Sequence, residues 1–420
     1  MFVSRLALDD FRSWRHCVVD FQPGINVLVG ANGLGKTNIV EAIEVLSTGN
    51  SHRVNSSVPL VRAGQKQATI RLNVAKDQEE NATTYEVTIP VRGANRVRIN
   101  SGKSMYMRDV VGKVRSVTFS PEDQQLVSAE PSIRRRFLDQ AGTQLIVDYY
   151  ETLSRFNQIA KQRAALLKQL SQQQAVAGTD ASAALSGLEI WTSQFIDAGV
   201  ALTEQRAQIV QRISEPFARI YRSLAGDDQQ VAIRYTPSFA EALTPVNDLA
   251  DEHEVAGADS ANSMNQANEI RLQISRHFQR IYPGEVAQAR NLIGPHRDDL
   301  TILLNGLPAR EYASNGEMWT LALALKMALF ETLSETDGQS PILILDDVFA
   351  QLDESRRRQI VEFCANRDQV LITMAAYSDL PQDAATKARL IEVSELIRQQ
   401  QQDDPAAMLA SFGFTGGKPQ

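Results

Sequence analysis

One octapeptide, Gly30-Ala31-Asn32-Gly33-Leu34-Gly35-Lys36-Thr37, constrains this chain more than any other segment. It matches GxxxxGK[ST], a loop whose backbone N–H groups cradle phosphates. The lysine of such a loop reaches the β and γ phosphates, and the hydroxyl after it holds Mg²⁺. The flanking sequence supplies the setting the motif requires. Residues 25–29 form an apolar run that stops at Gly30, as a buried strand does, and residues 37–46 read as a helix. The loop therefore sits between a strand end and a helix N-terminus, where anions are favoured. The expected ligands are ATP and Mg²⁺. Gly30, Ala31, Asn32, Gly33, Leu34, Gly35, Lys36 and Thr37 are the expected binding residues.

A second apolar run, Ile342-Leu343-Ile344-Leu345, ends in Asp346-Asp347. Two adjacent carboxylates at a strand end repel each other unless a cation neutralises them. With a phosphate loop in the same chain, Asp346 is expected to join Thr37 in the Mg²⁺ shell. Asp347 is expected to orient or deprotonate the attacking water, so the catalytic set reads Lys36, Asp346 and Asp347. A third segment, Ser314-Asn315-Gly316-Glu317, precedes a long apolar helix. It resembles the signature loop of ABC-type ATPases, in which Ser314 and Gly316 would grip a γ-phosphate; the plain alternative is an ordinary N-cap. Ala350-Gln351-Leu352-Asp353 resembles the D-loop of the same class.

The rest of the chain shows how these motifs are carried. The first 130 residues read as strands and turns, with 69–74 and 84–89 alternating in the period of half-buried strands. From Ser132 the period becomes helical, with stripes through Leu153, Phe156, Ile159, Leu166, Leu167 and Leu170, and then through Trp191, Phe195, Leu202, Ile209, Ile213, Phe217 and Ile220. Pro216 is an expected kink. Residues 171–186 read as a flexible loop, and the acidic segment 248–268 as disordered. Strand patterns return after Pro283-Gly284. The pattern predicts an α/β phosphate-loop ATPase head, assembled from 1–130 and 290–420 and interrupted by a helical arm over 131–289. An independent helical domain in series is the alternative.

Charge narrows the class of partner. With 43 basic and 50 acidic residues the net charge is −7, so any contact with nucleic acid must come from local patches. Residues 51–76 hold five basic side chains and no acidic one. Residues 91–115 hold seven, Arg92, Arg96, Arg98, Lys103, Arg108, Lys113 and Arg115, against Asp109 alone. The arginine runs 134–136 and 356–358 are weaker candidates for DNA or a partner, because charge runs are usually solvated helix faces. His296 is a candidate hydrogen-bonding or phosphate-sensing residue. Two cysteines, no secretory leader and no apolar run of membrane length point to the cytoplasm, with no membrane partner.

Phe11-Arg12, the phosphate loop, Ser51-His52-Arg53, Phe119-Ser120-Pro121-Glu122-Asp123, Arg134-Arg135-Arg136-Phe137-Leu138-Asp139 and Gly294-Pro295-His296-Arg297-Asp298-Asp299 occur in one order. Together with Leu345-Asp346-Asp347-Val348 and Leu352-Asp353, they resemble the RecF branch of the structural-maintenance ATPases over residues 2–380. The resemblance implies an ABC-type head with a short arm and a DNA-binding role in recombinational repair and replication. Single-stranded, gapped or junction DNA is the implied substrate, with recombinase loading and SOS induction as the outcome. It also implies RecO and RecR as partners, an ATP-dependent homodimer, and weak DNA-stimulated ATPase activity. The rival reading is an ATP-gated DNA clamp or scaffold without a loading role; a phosphate-loop kinase lacks an acceptor site. Two positions depart from the pattern: Glu317-Met318-Trp319 replaces glutamines and an arginine, and Thr373-Met374-Ala375 offers no switch histidine.

Overall fold

A computed structural model describes residues 1–54, 56–75, 82–174, 182–226, 228–240, 259–349, 354–365, 367–376 and 388–402. By its internal contacts the chain divides into two compact units. One contains Met1–Gln125, Pro216–Asp228 and Asn315–Gln420; the other contains Leu126–Glu215 and Gln229–Ser314.

The first unit opens with strands β1 (Phe2–Phe11), β2 (Trp14–Asp20) and β3 (Gly24–Val29), then helix α1 (Lys36–Thr48). Strands β4 (Gln67–Ala75), β5 (Thr83–Pro90), β6 (Arg96–Ile99), β7 (Met105–Tyr106) and β8 (Ser116–Phe119) follow. The strand-rich expectation for this region holds, but the strands divide between two sheets. One sheet is antiparallel, with the order β2-β1-β4-β5-β6-β7. The other recruits β3 and β8 and is completed from the far end of the sequence.

The second unit holds α2 (Gln125–Ser128, but for its first residue), α3 (Pro131–Leu145), α4 (Tyr149–Gln174) and most of α5 (Ser182–Ala225). It continues through β9 (Val231–Thr236), α6 (Asp259–Gln288), β10 (Asp299–Leu304), β11 (Leu307–Pro308) and α7 (Ala309–Tyr312). Residues 290–314 fall in this unit because β10 pairs antiparallel with β9 along its full length. Asn305 and Gly306, both at positive φ, close the β10–β11 hairpin as a type I′ turn requires. Helix runs further into the expected soft segments than periodicity suggests. α4 reaches 174, α5 starts at 182 and α6 starts at 259; residues 175–181 and 248–258 of those segments lie outside the described residues. Pro216 lies inside α5, at the boundary between the units.

The return to the first unit brings α8 (Asn315–Asp337), β12 (Ile342–Asp346), α9 (Glu354–Cys364), β13 (Gln369–Met374), β14 (Arg389–Glu392) and α10 (Val393–Gln402). Three of these strands join β3 and β8 in a parallel sheet of order β14-β3-β13-β12-β8. All five residues of β12 are buried, which explains why its sequence is a continuous apolar run and not an alternation. Leu6, Leu8, Phe11 and Trp14 join Ile39, Ile43, Ile70 and Leu72 in one buried cluster. Helix α1 is thereby fixed against the antiparallel sheet.

Residues of the motifs at 134–139 and 294–299 are tied to one another within the second unit. Arg134, with its side chain 6 % exposed, forms a two-pronged pair with Asp299 at 2.7 and 3.0 Å, and Arg135 donates to the Asp298 carbonyl at 2.8 Å. Arg206 bridges Asp139 and Asp298, both at 2.9 Å. The expectation that Arg134 faces DNA is therefore corrected: its guanidinium neutralises a carboxylate within the fold. His296 packs against Phe156 and Phe195, with one ring nitrogen 3.2 Å from the Asn291 carbonyl. Burial holds its pKa below the ordinary range despite that bond. His296 is part of an aromatic core, and its phosphate-sensing reading lapses.

Candidate functional site

The site forms where β3, β13 and β12 end. In a parallel sheet ligands bind in the crevice beyond the carboxyl ends of the strands, and these three are neighbours in the order β3-β13-β12. The chain leaves β3 through the phosphate loop and enters α1 at Lys36. Gly33 and Gly35 have φ of 86° and 91°, which side chains with a Cβ rarely adopt. At Gly35 a Cβ would also lie 2.8 Å from both the Ser13 hydroxyl and the Trp14 indole nitrogen. Trp14 donates that N–H to the Gly35 carbonyl at 3.1 Å, so a buried tryptophan on β2 sets the loop's final turn.

Lys36 folds back over the loop. Its Nζ donates to the carbonyls of Gly30 at 2.6 Å and Ala31 at 3.1 Å, and to Asn32 Oδ1 at 3.3 Å. No carboxylate lies within ion-pair distance of it among the described residues. Burial lowers its pKa, outweighing the attraction of Asp347 and Asp346. A cation held only by neutral oxygens is set up to receive an anion.

Thr37 Oγ1 donates to Asp346 Oδ1 at 2.9 Å, and Thr373 Oγ1 donates to the same oxygen at 2.6 Å. Thr373 sits directly opposite Asp346 across the β12–β13 pair. Its hydroxyl and carbonyl also accept the Asp347 N–H, at 2.9 and 3.2 Å. Thr373, where no switch histidine stands, thus holds the Asp346 carboxylate and the Asp347 backbone. Sequence reasoning passed over this role. The oxygens of Thr37 and Asp346 match what Mg²⁺ takes from a protein, one or two hard oxygen ligands beside phosphate and water.

Burial pushes the Asp346 carboxyl above its usual range, more than the Thr373 and Thr37 hydrogen bonds pull it down. The folded state therefore binds this proton more tightly than the unfolded state. Stability falls as pH rises from the unfolded pKa through the folded one. Without metal, Asp346→Asn should raise the unfolding midpoint at neutral pH. The gain expected is the roughly 0.5–2 kcal/mol usual when a strained functional site is relaxed, because Asn Oδ1 still accepts both hydroxyls. Thermal unfolding in chelator measures it; a midpoint below that of the unaltered protein would show that the charge is not the costly feature.

Around α1 the structure supplies partners that motif reading missed. Glu41, buried on that helix, takes Arg12 at 2.5 and 2.9 Å, Ser51 at 2.5 Å and Arg53 at 3.1 Å. Burial opposes its charge, but these four contacts more than offset that and lower its pKa. His52 lies 2.6 Å from Glu44, also buried on α1. Burial disfavours the imidazolium, yet Glu44 holds the His52 pKa above its ordinary value. The segments Phe11-Arg12 and Ser51-His52-Arg53 therefore both brace the helix that follows the phosphate loop. The available signal was two acidic residues within the apolar run 39–46, which marks a need for cations but not which side chains supply them.

Asn315 opens α8, with Ser314 immediately before it, and both are exposed. Gln124 donates to the Asn315 carbonyl at 3.3 Å, so the segment after Phe119 reaches the start of this helix. Gly316 lies against Arg356, whose Nη2 would be 2.7 Å from a Cβ there. Lys326 on α8 donates to the Thr118 carbonyl at 2.9 Å and pairs with Asp123 at 3.1 Å. Residues 350–353, read as a D-loop, lie outside the described residues. Among the described residues no helix is long and apolar enough to cross a membrane.

The family described as "RecF/RecN/SMC N terminal domain" matches residues 2–399. The chain is 56 % identical over 420 residues to the "DNA replication and repair protein RecF" of Bifidobacterium adolescentis, covering 98 % of this chain and 97 % of that one. It is 57 % identical over 381 residues to the protein of that name from Bifidobacterium longum subsp. infantis, covering 91 % and 87 %. A solved structure of "the recombination mediator protein RecF-ATPrS in RecFOR pathway" superposes with a TM-score of 0.77 at 26 % identity, over 93 % of this chain and 96 % of that one. Its RecF-ATP counterpart superposes with a TM-score of 0.75 at 26 % identity, over 90 % and 93 %.

Proposed function

The chain belongs to the RecF/RecN/SMC N-terminal domain family, and we propose that it acts as an ATP-dependent, DNA-binding protein of replication and recombinational repair. The observation that carries this reading is the convergence of Lys36, Thr37 and Asp346 at the ends of neighbouring parallel strands, in a chain whose relatives are RecF proteins. The loop from Gly30 to Thr37 would hold the ATP phosphates, with Lys36 as the cation on the β and γ groups. Thr37 and Asp346 would hold Mg²⁺, whose contribution when bound is to neutralise charge on the phosphate oxygens. Asp347 orients the attacking water.

The shared site needs a second molecule. The Ser314–Gly316 loop has a short hydroxyl, a glycine and a helix N-terminus, the chemistry of a γ-phosphate cap. In our reading this cap is supplied in trans. Two identical subunits then bury two nucleotides in a self-complementary contact. ATP binds the dimer better than the monomer, and that difference in affinity drives association. The dimer clamps single-stranded, gapped or junction DNA, works in the cytoplasm with RecO and RecR, and assists recombinase loading and SOS induction.

Light scattering with ATP, Mg²⁺ and gapped DNA tests this. The unaltered chain should shift from monomer to dimer mass when ATP is added. Ser314→Arg should bind ATP as a monomer with unchanged affinity and fail to dimerise. A Ser314→Arg protein that dimerises normally would refute the shared site.

A further inference from the structure

The antiparallel sheet carries a row of alternating charges. His16 on β2 lies 2.7 Å from Asp9 on β1, and Asp9 also pairs with Arg71 on β4. Arg71 reaches Glu86 on β5 at 2.7 Å, and Glu86 reaches Arg98 on β6 at 3.6 Å. Each arginine in this row has a carboxylate beside it. The row ends at β6.

Two residues before Arg98, and so on the same side of the strand, Arg96 breaks the pattern. It stands opposite Thr88 on β5 and Tyr106 on β7. Its guanidinium carbon lies 3.9 Å from the centre of the Tyr106 ring, and that of Arg108 lies 4.9 Å from the same centre. Among the described residues Arg96 has no carboxylate within ion-pair distance. Among those same residues Arg108 has only Asp109, at 3.8 Å, and that carboxylate also accepts the Tyr106 N–H at 2.9 Å. Arg96, Tyr106 and Arg108 are all exposed, at the open edge of the sheet.

Two like charges gathered round one ring repel each other. The ring's negative face offsets part of that cost and leaves the charge itself unneutralised. A guanidinium lying on a ring keeps its in-plane N–H donors turned outward, in the fork that matches phosphate. Arg92, Lys103 and Lys113, close by in the sequence and exposed, add cations and no acid. A polyanion with closely repeated phosphates supplies what this edge lacks.

We propose that Arg96, Tyr106 and Arg108 form a DNA-backbone clamp. Arg96 and Arg108 contact phosphates, and Tyr106 is a positioning residue that holds both guanidiniums ready. This deepens the DNA-binding reading above and rests on it. Its distinctive consequence is an uncharged side chain that sets affinity without changing the number of counterions released. Phosphate contacts alone govern how steeply binding falls with salt, at about 0.9 log units per contact on duplex DNA.

Fluorescence anisotropy of the full chain on labelled gapped DNA, with ATP and Mg²⁺ from 50 to 200 mM salt (a range over which such contacts separate clearly), tests the clamp. Arg96→Gln with Arg108→Gln should weaken binding and lower the salt slope by about two units. Tyr106→Ala should weaken binding roughly fivefold to tenfold at every salt concentration with the slope unchanged, because two arginine side chains must then be ordered on binding. Tyr106→Phe should bind within about twofold of the unaltered chain, because it keeps the ring face. Tyr106→Ala binding at full strength would overturn the positioning role. An unchanged slope in the double arginine variant would overturn the clamp while leaving DNA binding elsewhere intact. An unaltered chain that ignores DNA would overturn the functional reading itself, and the clamp with it.

Discussion

Lys36→Ala should abolish ATP binding at any practical concentration. Removing one partner of a desolvated charge pair costs roughly 3–5 kcal/mol, a hundredfold to several-thousandfold in affinity. The geometry argues for the upper part of that range. Lys36 is buried at 5 % exposure, burial already disfavours its charge, and three neutral oxygens of the loop hold it. The same three bonds pin the loop's curve, so alanine removes both the phosphate cation and the internal tie. Arginine does not substitute, because its planar fork lacks the point-charge geometry that the curled loop encloses. Calorimetric titration with ATP and Mg²⁺ measures the effect, and unfolding midpoints confirm that the variant folds. ATP affinity within tenfold of the unaltered chain would place the phosphate cation elsewhere.

How much of this was legible in the sequence depends on the range of the interactions. The phosphate loop, the buried strand ending at Asp346 and the helix after Ser314 are local patterns, and local patterns survive in a one-dimensional reading. Sheet membership does not. β3 pairs with β13 and β14, more than 300 residues later in the chain, and nothing in the alternation of 69–74 or 84–89 separates those strands from β3 or β8. The bracing of α1 by Arg12, Ser51 and Arg53 was equally invisible, since each side chain is ordinary until Glu41 gathers them. Arg134 shows the converse error. A run of three arginines reads as a surface, but a carboxylate 165 residues away in Asp299 turns its first member inward. Arg163 makes the same point on α4, occupying an apolar slot between Ile159 and Leu167 because buried Glu285 pairs with it at 2.6 Å.

Asp347→Asn should leave ATP affinity within about threefold, the effect of one neutral hydrogen bond, and slow hydrolysis by a hundredfold or more, as loss of a general base does. The two adjacent aspartates differ in their surroundings, which supports the different roles proposed for them. Asp346 is 5 % exposed and its Oδ1 already accepts two hydroxyls, so it is committed to a fixed position beside Thr37. Asp347 is half-buried, and its carboxylate accepts no hydrogen bond from another described residue. Its backbone is held at φ 54°, a conformation that costs a non-glycine residue energy and tends to persist at functional sites. The two bonds from its N–H to Thr373 hold it there. We propose that from this turn the Asp347 carboxylate meets the attacking water. Asparagine is the informative replacement because it tolerates positive φ and keeps the shape, so a loss of rate reports the missing charge and not a rebuilt turn. The variant should still dimerise with ATP and then remain closed, with DNA dissociating more slowly than from the unaltered chain. Single-turnover hydrolysis and DNA release, measured together, decide the point: normal turnover in Asp347→Asn would move the water-activating role to another residue.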